Sequence, residues 1–213
     1  MVKKQAHLIV LMILLAALPA IGQAQDLNTV INNVTKAMGS ANLKTIHYSG
    51  SGSSYTGGKS VAWMKSYTRD IDLGVPTSRV QIVREQGTES QNVGTDAPWS
   101  KQCELWTNPW LFLKSAAANN ATVSSQTLYT EKFTVVTFSV QNKYKVSGFI
   151  DDKNMIEKIQ TWIDPNATLV ETIYRDYQDF SGLKFPTMII ENQAGELAMI
   201  VLVSEVKANA GAN

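Results

Sequence analysis

The apolar residues first change period near residue 45. Before that point Leu27, Val30, Ile31, Val34 and Met38 fall at helical spacing, a single apolar stripe that predicts a helix over 27–38. Asp26 stands where an N-cap belongs, and Gly39 supplies a C-terminal stop. Beyond it the alternation is that of strands. Ile46-His47-Tyr48 runs into the glycine- and serine-rich stretch 49–58, which either bends a strand or forms a mobile loop. Residues 60–73 carry Trp63, Tyr67 and Ile71 among polar positions, and 77–85 set Val80 and Ile82 against Arg79, Gln81 and Arg84. Residues 87–98 are polar and aperiodic, which predicts a long loop.

A second helix is expected over 108–118. Asn108 caps it, Pro109 takes the first helical position, and Trp110, Leu113, Lys114 and Ala117 repeat at helical spacing until Asn119-Asn120. The rest reads as a meander, with strands at 122–129, 133–141, 143–151, 155–164, 169–180, 183–192 and 197–206. The separators are turn chemistry: Asp151-Asp152-Lys153-Asn154, Asp164-Pro165-Asn166, Ser181-Gly182 and Ala194-Gly195. Met155, Ile159 and Ile163 share one parity, so each strand has a dry and a wet face. The fold class is therefore α+β, mostly β: a long antiparallel sheet, curled by its own twist, with about two helices filling its concave side.

The N-terminus changes the picture from a domain to an exported domain. Lys3-Lys4, the apolar run from Leu8 to Leu18, Pro19, and the small–x–small set Gly22-Gln23-Ala24 form the three parts of a secretory signal peptide over 1–24. The run is too short to span a bilayer, which takes roughly 20 apolar residues. Residues 25–207 then form one domain, and the small polar residues 208–213 form a tail, or a linker to a further module. The 213-residue chain has 19 Lys and Arg against 18 Asp and Glu. Loss of Lys3 and Lys4 leaves the mature chain near neutrality, without the basic stripe that nucleic acid requires. Cys103 is the sole cysteine, so the core must hold without an internal disulfide. It reads as a structural residue near Trp106.

The search for chemistry returns little. Past the leader, His47 is the only histidine, too few imidazoles and thiols for a zinc site or a serine triad. It reads as a hydrogen-bonded strand histidine. Ser49-Gly50-Ser51-Gly52-Ser53 lacks the lysine of a phosphate loop. Asp70 and Asp72 share a strand face, and Asp151-Asp152 sits in a turn, both better explained as solvated carboxylates. The chain is thus read as non-catalytic, with no metal and no cofactor.

Several segments together carry a resemblance. They are Val34-Thr35-Lys36-Ala37-Met38-Gly39, Lys65-Ser66-Tyr67-Thr68-Arg69-Asp70, Leu105-Trp106-Thr107-Asn108-Pro109-Trp110, Glu157-Lys158-Ile159-Gln160-Thr161-Trp162 and Tyr174-Arg175-Asp176-Tyr177 with Phe185-Pro186-Thr187. In order and spacing they resemble the exported N-terminal region that precedes metallo-β-lactamase-fold hydrolase domains in bacteria. The last hairpin also resembles an element of the periplasmic lipoprotein-carrier fold, a half-barrel sheet around helices with a cavity for acyl chains. The resemblance implies a periplasmic or secreted module binding an apolar or lipid-like ligand, with Trp63, Trp106, Trp110, Phe112 and Trp162 as lining residues. Its alternative implication is an accessory domain of a hydrolase whose catalytic part is missing from this chain.

Overall fold

The computed structural model describes residues 26–164 and 168–209. The expected signal peptide, 1–24, lies outside them, as do residues 210–213 of the expected tail. In chain order the elements are α1 (Leu27–Ala37), β1 (Thr45–Thr56), β2 (Lys59–Asp72), β3 (Thr77–Arg84), β4 (Gly87–Gly94), α2 (Trp99–Trp106), α3 (Pro109–Ala118), β5 (Thr122–Leu128), β6 (Glu131–Val140), β7 (Tyr144–Ile150), β8 (Ile156–Trp162), β9 (Leu169–Phe180), β10 (Leu183–Gln193) and β11 (Glu196–Ala208). Both predicted helices form where their caps stand: Asp26 Oδ2 accepts from Thr29 N at 3.2 Å, and Asn108 Oδ1 accepts from Trp110 N and Leu111 N.

The strands make one antiparallel sheet of 11 strands in the order β4-β3-β2-β1-β11-β10-β9-β8-β7-β6-β5. This order explains where the helices go. The chain meanders from β1 out to one edge at β4, and re-enters at the opposite edge with β5. Residues 95–121 must therefore cross the whole width of the sheet, and they do so as α2 and α3. We call this segment the strap. It lies on the concave face, and its Trp106, Trp110, Leu111 and Phe112 are buried in the main core with Val34 of the first helix and Met38, that helix's C-cap.

Two expectations give way here. Residues 87–94 are not loop but the edge strand β4, paired with β3 from Arg84↔Gly87 to Thr77↔Gly94. An edge strand buries little, and only Val93 is buried, so no apolar alternation marks it. The third helix, α2, also went unpredicted; it starts after Pro98 and buries Trp99, Gln102, Cys103, Leu105 and Trp106, a stripe that a glutamine interrupts. The glycine-serine stretch, left open between strand and loop, is the second half of β1. A Cβ at Gly50 would stand 1.9 Å from Leu202 O, and one at Gly52 2.1 Å from Ile200 O. Those glycines let β11 approach β1. At the other end of β11, Asn209 Oδ1 accepts from Lys44 N at 2.7 Å, so the first two tail residues belong to the sheet margin.

Candidate functional site

Pairing register decides which side chains face the strap, because directly opposed residues of antiparallel neighbours share a face. One inward row runs Val136↔Gly148↔Ile159↔Thr172↔Glu191↔Met199. Tyr48↔Arg69 belongs to the same face farther along. Over this surface the strap lays its aromatics. A Cβ at Gly148 would stand 2.4 Å from the Phe112 ring, so glycine is what lets that ring reach the sheet. The Trp110 ring stacks on Phe185 at 4.8 Å and 16°, and Phe185 meets Tyr48 at 5.0 Å.

The strap is tied down through side chains. Arg69 Nη2 donates to the backbone oxygen of Glu104 at 3.2 Å and lies 3.5 Å from its carboxylate, while Arg69 Nε donates to Ser78 Oγ at 2.8 Å. Trp99 Nε1 donates to Trp162 O at 2.6 Å, Tyr174 OH to Thr107 O, and Lys114 Nζ to Leu73 O. Burial lifts the Tyr174 and Tyr67 hydroxyls well above the phenol range, so both stay protonated and able to donate.

At the centre, beneath Trp110, a cavity of about 20 Å³ remains. Its lining mixes polar residues, Arg69, Thr172 and Glu191 among them, with apolar Phe185, Met199 and Val201. Burial raises the Glu191 carboxyl, against the opposing pull of a hydrogen bond from Gln193 and of the Arg69 charge. Trp110 Nε1, Thr172 Oγ1 and Glu104 Oε1 are buried without a hydrogen-bond partner among the described residues. The concave side is thus packed almost shut, and its centre is partly polar.

Of the five expected lining residues, Trp106, Trp110 and Phe112 lie buried in the strap, and Trp110 alone lines the central cavity. Trp63 and Trp162 stand on the other side of the sheet. Trp63 pairs with outward Ser53, one residue out of step with buried Met64, and is 53% exposed. Trp162 shares its parity with Lys158 and Gln160, one step from inward Thr161. The inward tyrosines, Arg69, Thr172 and Glu191 were not foreseen. Their signal was parity with Ile71, Val170 and Ile189, which alone cannot tell a polar residue in the core from one at its margin.

Elsewhere, an open groove of about 720 Å³ at the β1–β4 end is lined by His47, Asp70, Asp72, Arg79, Asp96 and Lys207 among others. His47 Nδ1 and Asp70 Oδ1 are 2.7 Å apart there, both reached by solvent. Burial pushes the Cys103 thiol up to about 12, with Glu191 and Glu104 adding to it, which leaves it inert at neutral pH. Among the described residues no group of three or more His, Cys, Asp or Glu is placed to hold a metal, and no helix is long and apolar enough to cross a membrane.

No protein-family profile matches the chain, and no curated protein sequence does. Solved structures do match. A LolA superfamily protein from Nitrosomonas europaea superposes with a TM-score of 0.54 at 10% identity, over 86% of this chain and 94% of that one. A domain named for proposed outer membrane lipoprotein sorting, from Vibrio parahaemolyticus, gives 0.53 at 7% identity over 88% and 95%. This is the LolA fold. A DUF1329 family protein from Desulfovibrio piger shares it, with a TM-score of 0.52 at 8% identity over 88% and 95%. At such identities the likeness is one of architecture: the LolA fold here is the mostly β, curled antiparallel sheet with its helical strap, with three helices among the described residues where about two were expected. The metallo-β-lactamase association has no counterpart among these structures.

Proposed function

We propose that this chain is a carrier that holds an apolar, lipid-like ligand between the concave face and the strap, outside the cytoplasm and without catalysis. The observation that carries the reading is topological. The strap leaves one sheet edge and returns at the other, so it can lift from the concave face without breaking any strand pairing. What holds it are aromatic contacts and the side-chain ties of Arg69, Tyr174, Trp99 and Lys114. The 20 Å³ cavity belongs to the closed state, and the ligand takes the place of strap side chains when the strap rises. Trp106, Trp110 and Phe112 are then its aromatic wall, and Trp63 and Trp162, on the other face, take no part. The shared LolA fold and the signal peptide pattern support both the ligand class and the periplasmic or secreted address. The alternative, an accessory role beside a metallo-β-lactamase-fold hydrolase, is favoured by no observation of this structure.

The test is binding of a fluorescent acyl probe to the purified mature protein, followed by displacement with unlabelled lipid. Saturable binding with faster amide exchange in 99–118 is expected. A folded protein that takes up no acyl probe and whose strap never exchanges ahead of the sheet would overturn the proposal.

A further inference from the structure

The sheet is open, and each of its two edges presents a row of backbone N–H and C=O groups with no strand beyond it among the described residues. Soluble proteins guard such edges with lysine, proline, a bulge or extreme shortness. The edge strand β4 has none of these. It is eight residues long, lacks lysine and proline, and pairs with β3 from Arg84↔Gly87 to Thr77↔Gly94 without a shift of register. All of it from Gly87 to Asn92 is exposed, so a partner can reach it. Its one charge, Glu89, is neutralised by Arg84 at 2.7 Å, and no unpaired charge turns an incoming strand away. β4 also begins and ends on glycine, which leaves no side chain at either end to obstruct a second backbone. The other edge strand, β5, is one residue shorter and runs into the wholly exposed Tyr129.

What pairs with β4 follows from its own sequence. A row of free backbone groups is satisfied by another extended chain, and directly opposed residues then share a face. Laid antiparallel on itself with Ser90 opposite Ser90, the strand sets Thr88 against Asn92 and Glu89 against Gln91. Both are pairs that can hydrogen-bond, and neither opposes like charges. A two-fold axis at Ser90 makes the contact isologous and closed, whereas β4 set against β5 of the next copy would run on without limit. Two copies do not repel one another, because the mature chain is near neutrality. We propose that β4 is a homodimer interface, in which two copies pair edge to edge, antiparallel about Ser90, and join their sheets into one. The seam lies at the sheet margin, and the proposal does not rest on the carrier reading.

The experiment is sedimentation equilibrium of the mature protein from about 1 to about 300 µM, a range suited to a seam smaller than a standard interface. A reversible monomer–dimer equilibrium is expected. Ser90→Lys changes an exposed side chain, so thermal unfolding of the monomer should stay as it is. It should raise the dimer Kd at least about 10-fold, because two lysines then stand opposed on the axis. Ser90→Glu should do the same, and an equal mixture of the two variants should regain the native affinity or exceed it. That recovery cannot come from variants that merely fold badly. Ser125→Lys, the matching change on the exposed edge of β5, should move the Kd by less than about 2-fold. A protein that stays monomeric over the whole range overturns the proposal. So does a dimer that Ser90→Lys leaves intact or that Ser125→Lys dissolves, and so does growth past the dimer into open chains. Each of these outcomes leaves the acyl-probe experiment to decide the carrier reading separately.

Discussion

Glu171 and Glu191 lie on the neighbouring strands β9 and β10, one register step apart, and they show how differently the two faces of the sheet are built. Glu171 points outward. Lys158 and Gln160 donate to it at 2.9 and 2.6 Å, and although burial works to raise its carboxyl, those hydrogen bonds and the lysine charge lower it overall. Glu191 points toward the strap, where burial raises it and Arg69 and Gln193 only partly compensate. The outer face continues in the same manner, with Thr137 Oγ and Ser147 Oγ 2.9 Å apart and Arg175 reaching Glu157 at 2.5 Å. The inner side leaves Glu104 Oε1, Trp110 Nε1 and Thr172 Oγ1 without a hydrogen-bond partner among the described residues. The two faces thus differ in how their polar groups are satisfied: paired on the outer face, partly unpaired beneath the strap.

The sharpest way to break the contrast is to stop the inner face from forming. Gly50→Val places a Cβ 1.9 Å from Leu202 O on β11, a backbone collision that no rotamer relieves. A loss of more than about 3 kcal/mol, or failure to fold, is expected by urea denaturation. Phe112→Ala removes a fully buried ring from the strap and should cost about 3–5 kcal/mol, read the same way. Both changes leave the outward side chains as they are.

Smaller changes sharpen the comparison. Arg69→Met removes the charged donor to Glu104 and Ser78, and about 1.5–3 kcal/mol should go with it. Amide exchange should accelerate in 99–107 before it does in β9 or β10; uniform acceleration would count against the strap as a separable unit. The smallest effects are the pH responses, which should have opposite signs. Glu191 is raised in the folded state, so its ionisation weakens the fold as pH climbs from the ordinary glutamate value through the folded one. Glu191→Gln should therefore flatten the decline in stability that sets in as pH rises above the ordinary glutamate value. Glu171 is lowered, so its contribution is complete above the ordinary glutamate value and is lost as pH falls through the folded one. Glu171→Gln should cost most near neutrality and least in acid. Denaturant midpoints for both variants between pH 3 and 8 check the two signs.

Much of this molecule is local, and local features are legible. Asp26 and Asn108 cap helices because a short polar side chain can satisfy free backbone N–H groups within its own turn. Ser181-Gly182, Ala194-Gly195 and Asp151-Asp152-Lys153-Asn154 turn the chain because of what their own backbones tolerate, and they fix most of the meander from β7 to β11. Strand parity is local as well, and it pairs Thr172 with Tyr174 on one face. The edge strand β4 is not local in this sense. Its polar residues form a strand only because β3 offers a ladder of hydrogen bonds.

The sequence by itself determined a mostly β chain with helices at about 27–38 and 108–118 and a run of antiparallel strands after them. Only the tertiary structure decided which face of that sheet is inside. Parity separates the two faces of a strand without saying which one a strap from distant residues will cover. Hence Trp63 and Trp162, aromatic and apolar like Trp110, lie on the side away from the strap, while Arg69 and Glu191 lie beneath it. That choice was made by the crossing of 95–121 from β4 to β5, a long-range event with no trace in any single strand.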